Sequence, residues 1–103
     1  MNPILGKPVH DIMQVKGRTK ALTVSDTVQE VRVGDTRMEN RKIVVIQNLS
    51  ASDLDYGFES TLAYGQGLVL ESGDVVSIAV SDNVPIYIVG PSGGLQVRIM
   101  EGY

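Results

Sequence analysis

From residue 21 onward, apolar and polar positions alternate mostly with a period of two. Residues 21–24 (Ala-Leu-Thr-Val) form a short strand candidate closed by the turn pair Ser25-Asp26. In residues 27–33, Val31 and Val33 share one face while Glu30 and Arg32 share the other, and Gly34-Asp35-Thr36 ends the run. Residues 42–47 are β-branched and nearly continuous, the pattern of a central strand buried on both faces. Residues 48–55 are polar and turn-rich. Residues 56–60 predict a strand with Tyr56 and Phe58 on one face. After Gly65 and Gly67 comes Leu68-Val69-Leu70, and residues 71–74 (Glu-Ser-Gly-Asp) predict a hairpin turn. Over residues 74–80, Val76, Ile78 and Val80 point inward, and Ser77 and Ala79 outward. Pro85 cannot donate to a ladder, so the strand over residues 84–89 begins at a sheet edge or takes Pro85 at its start. Residues 90–94 predict a hairpin loop, and Leu95, Val97 and Ile99 then alternate against Gln96, Arg98 and Met100.

The sum is an all-β chain: a compact sandwich or barrel of seven to eight short antiparallel strands, with no helix among them. Alternation alone does not separate sandwich from barrel or order the strands. The first twenty residues read differently. Pro3, Gly6, Pro8 and Gly17 interrupt any regular element, so residues 1–20 are expected to be an extended N-terminal arm on a body of residues 21–103. One short helical turn between Pro8 and Gly17, burying Ile12 and Met13, is the competing local structure.

Charge sharpens the division. The arm holds Lys7, Lys16, Arg18 and Lys20 against Asp11 alone, while the body holds five cations against eleven carboxylates. No aromatic residue interleaves the arm's cations, and the acidic body repels phosphate, so nucleic acid is not the expected partner. An acidic protein surface suits the arm better, with a solvated tail as the plain alternative.

At 103 residues the chain has room for one domain. Its 43% apolar and 20% charged content is ordinary for a globular protein. With no cysteine there is no disulfide, thiolate metal site or cysteine nucleophile. His10, the sole histidine, disfavours a His-rich metal site or a Ser-His-Asp triad. No run approaches the length of a membrane-spanning helix, and residues 1–20 lack the apolar core of a signal peptide.

The candidate chemistry is sparse. Gly65-Gln66-Gly67 lacks the strand-to-helix context of a phosphate loop and reads as a turn or bulge. Asp53, Asp55 and Glu59 have calcium-ligand chemistry without the glycine an EF-hand requires. Two carboxylates could serve a glycosidase, but so short a chain has little room for a sugar cleft. Tyr56, Phe58, Tyr64 and Tyr87 offer either subunit contact or a glycan-stacking face. Arg98 sits between Val97 and Ile99. It is either satisfied by an acid such as Glu101 or Glu71 or anchors another subunit. No catalytic, cofactor or metal site is expected.

Several segments together resemble a class of small tailed-phage virion proteins attached to the head, collar or tail. They are residues 41–50, Tyr56-Gly57, Gly67 and Leu70, Gly73-Asp74, residues 85–88 and residues 97–101. The likeness spans roughly residues 20–103 and omits the arm. It implies a non-enzymatic structural protein. The expected form is a capsid decoration (cement) protein on the capsid exterior, assembled in the bacterial cytoplasm as a homotrimer. It would clamp the major capsid protein of a tailed phage without membrane, nucleic acid or cofactor. In that reading Pro3, Ile4, Leu5, Pro8, Ile12 and Met13 anchor the arm, and Lys7, Lys16, Arg18 and Lys20 meet acidic capsid patches. A carbohydrate- or receptor-binding module on a fibre or tail, or a collar component, is the alternative.

Overall fold

The structure, a computed structural model, describes residues 16–103. Eight strands follow one another: β1 (Gly17–Val24), β2 (Gln29–Glu30), β3 (Ile43–Asn48), β4 (Leu54–Gly57), β5 (Leu68–Leu70), β6 (Val75–Ile78), β7 (Tyr87–Val89) and β8 (Leu95–Gly102). They form two four-stranded sheets, ordered β1-β8-β3-β6 and β2-β7-β4-β5, and every pairing is antiparallel. Each connection except β4 to β5 passes from one sheet to the other. This is the double Greek-key order of a jelly-roll sandwich.

The alternation read from the sequence places the core. Val24, Val44, Ile46, Val97 and Ile99 of the first sheet meet Leu54, Leu70 and Ile88 of the second, all essentially buried. Val31 and Ile86, just outside strands, join them. Each such side chain contributes about 1.5–3 kcal/mol when removed from water. The core is aliphatic; Tyr56 packs against it only partly.

Several expectations change. The first strand begins at Gly17, so the body starts before residue 21: β1 pairs with β8 through all eight residues, from Gly17 opposite Gly102 to Val24 opposite Leu95. Long-range pairing to β8 supplies the ladder that the local Gly17 signal argued against. The turns at residues 71–74 and 90–94 exist, but neither closes a hairpin. The first joins β5 to β6 and the second β7 to β8, each crossing between sheets. The aromatic strand is shifted: β4 starts at Leu54 and ends at Gly57, leaving Phe58 exposed beyond it. β3 is central as expected, but only Val44, Ile46 and Asn48 are buried, because a two-layer fold covers one face of each sheet. Pro85 precedes β7, an internal strand between β2 and β4.

Candidate functional site

Inward positions of β8 run Leu95, Val97, Ile99 and then Glu101, so the alternation carries a carboxylate into the interior. Glu101 is fully buried. Its Oε1 accepts from the Val33 amide at 2.9 Å and from Arg18 Nε and Nη2 at 3.2 and 3.0 Å. Its Oε2 accepts from the Met38 amide at 3.2 Å and from Arg41 Nη1 at 2.9 Å. Burial alone would raise the carboxyl pKa. The Val33 and Met38 amides and the Arg41 and Arg18 guanidiniums outweigh it and hold the group below its ordinary value of 4.5.

Arg41, itself buried, also donates Nη2 to the carbonyls of Ser81 and Val84 at 2.8 and 2.6 Å. The cluster therefore ties the long β2–β3 connection and the β6–β7 connection to the last strand. All but one of its buried polar atoms are paired, Arg41 Nε being the exception, and their chemistry is that of a structural clasp.

Arg18, expected to meet a partner protein, is turned to Glu101 and to the Thr36 carbonyl at 2.8 Å. Lys16, just before β1, and Lys20, within it, remain exposed. Pro3, Ile4, Leu5, Lys7, Pro8, Ile12 and Met13, with His10, lie outside the described residues.

Two of the three acidic residues considered for calcium are occupied otherwise. Asp55 Oδ2 accepts from the Gly65 and Gly67 amides at 2.7 and 2.9 Å, and Asp53 Oδ1 accepts from the Ser72 amide at 3.0 Å. Among the described residues, no three acidic, histidine or cysteine side chains converge as metal ligands. Gly65 and Gly67 thus serve a turn that folds the β4–β5 connection over Asp55. A Cβ at Gly67 would lie 2.7 Å from the Tyr56 carbonyl oxygen, so only glycine fits there.

The aromatic residues gather in part. Tyr56 and Phe58 line one cleft of about 340 Å³ with Leu62, Leu68, Glu59 and Gln66. Tyr87 lies opposite Gly57 in the β4–β7 register. Tyr64 is exposed on the β4–β5 connection and does not line the cleft.

The outer face of the first sheet is a second surface. Register brings Thr19, Met100 and Val45 into one row, and Ala21, Arg98, Gln47 and Val75 into the next. Arg98 is the one charged residue at the outward strand positions of this sheet. No carboxylate pairs with it among the described residues. Glu101 is unavailable to it because positions 98 and 101 of a strand face opposite sides. Sequence reading had also missed that residues 43–97 contain no lysine or arginine at all, while they carry six carboxylates.

Among the described residues no helix is long and apolar enough to cross a membrane. No protein-family model matches the chain, and no curated protein matches it. Among solved structures it is similar to a chain from disulfide-linked pili of Bacillus endospore appendages, with a TM-score of 0.50 and 14% identity. The likeness covers 86% of this chain and 85% of that one. At that identity it is a likeness of fold, and the 103 residues here contain no cysteine that could form such a link.

Proposed function

We propose that the protein is a structural assembly subunit, and specifically a phage capsid decoration protein that self-associates and clamps neighbouring capsid subunits. It acts by docking, without catalysis. The observation that carries this reading is the surface of the body. Phe58, Leu68, Val69 and Val75 are 47–61% exposed on a small sandwich whose core is already complete. They fall on two surfaces, Phe58 and Leu68 in the aromatic cleft and Val75 on the outer face of the first sheet, and exposed apolar area of this kind suits contact with another chain. The fold neighbour comes from disulfide-linked pili, and this agrees with assembly as the common theme. Several weak contacts per copy would sum through multivalency.

Light-scattering mass on a sizing column tests self-association: a multiple of 11.1 kDa is expected, and a monomer at every concentration overturns it. Sedimentation with phage heads tests the clamp. Binding at every equivalent lattice position supports decoration, and one ring per particle points to a collar.

The Tyr56–Phe58 cleft favours one second reading, a glycan-binding module on a fibre or tail. Binding on a broad glycan array that Phe58→Ala abolishes would establish it, and silence would remove it.

A further inference from the structure

The two surfaces described above are chemically complementary. One is a flat outer sheet face, uncharged except for Arg98, with Val45, Val75 and Met100 around it. The other is the aromatic cleft, where Tyr56, Phe58, Leu62 and Leu68 stand beside Glu59. An apolar cleft with two aromatic rings and one carboxylate has the chemistry of a guanidinium receptor: the ring faces attract the cation and the carboxylate pairs with it. Arg98 has no acidic partner within its own chain, and Glu59 has no basic one, among the described residues. They belong to different sheets, Arg98 on β8 and Glu59 just beyond β4. No lysine or arginine within residues 43–97 competes for the cleft.

We infer that the outer face of the first sheet docks a second copy of this chain, with Arg98 of one copy entering the Tyr56–Phe58 cleft of the next beside Glu59. This deepens the proposed function and rests on its self-assembly. The two contacting surfaces are different, so the association is heterologous: it closes into a ring if the rotation between copies allows and continues as a row if not. The continuous apolar run of β3 then has an explanation, because Val45 on its outer side would be covered by the neighbouring copy.

The test is charge reversal on the full chain, read by light-scattering mass over a dilution series. Arg98→Glu and Glu59→Arg should each weaken association about tenfold or more, since each sets like charges against each other at the contact. The double variant should regain wild-type association. Unchanged thermal midpoints would show that both single variants fold. If both single variants keep the wild-type mass, or the double variant fails to recover, the pairing of these surfaces is overturned while self-assembly stands. If the wild type is monomeric throughout, both the pairing and self-assembly fall.

Discussion

At the scale of single residues, Glu101 has the largest consequences. Replacing it with Gln would leave the Arg41 guanidinium buried and unmatched, so a loss of about 3 kcal/mol is expected from urea unfolding. Its pKa is lowered on folding, so its ionised form stabilises the fold fully above the unfolded carboxyl value. That contribution disappears as pH falls through the lower folded value. The urea midpoint of the wild type should therefore drop at pH below about 4.5, and Glu101→Gln should lack that part of the drop. The alternation of Leu95, Val97 and Ile99 carries on to an inward position 101, whereas the sequence reading offered Glu101 to Arg98. Its true partners were not legible, because Arg41 and Arg18 lie 60 and 83 residues away in sequence. Arg98 is the converse case: its solvent-facing side follows from parity, but what it meets depends on a surface that no local pattern reveals.

At the scale of elements, the strands were readable and their partnerships were not. The period of two located β6 and β8, each with one dry face, while β3 was found by its β-branched run and β1 only over its second half. Turn chemistry at Gly73 and at Gly93-Gly94 was also readable. The same glycine turn serves a hairpin or a corner between sheets, however, and only pairings distant in sequence decide which. The first strand shows this most plainly, since its ladder to β8 overrides the break that Gly17 signals. Truncation tests the revised boundary. A chain lacking residues 1–20 should melt at clearly lower temperature than one lacking residues 1–15, because it also loses half of β1 and the Arg18–Glu101 bridge. The β4–β5 connection makes a similar prediction. Gly67→Ala forces a Cβ against the Tyr56 carbonyl and the Leu62 side chain, and should cost about 1–3 kcal/mol in denaturant unfolding.

At the scale of the whole molecule, all-β architecture followed from the spacing of strands and turns, whereas the jelly-roll order needed the pairings themselves. Function was less legible still. No site chemistry marks the sequence, and the jelly roll serves many purposes. What the chain offers instead is a distribution: cations at Lys7 and Lys16, on β1, on the β2–β3 connection and at Arg98, with none between residues 43 and 97. The two ends of the described chain have one more consequence. Lys16 and Tyr103 exchange backbone hydrogen bonds, at 2.9 Å from the Lys16 amide and 2.8 Å from the Tyr103 amide. A short linker could therefore join them and new termini could be opened at Gly93, an exposed residue where an added Cβ would meet nothing within 4 Å. Such a circular permutant of residues 16–103 should give the circular-dichroism spectrum of the unpermuted body. The body would then behave as a cassette, able to sit in a loop of another protein with both of its attachment points at one corner.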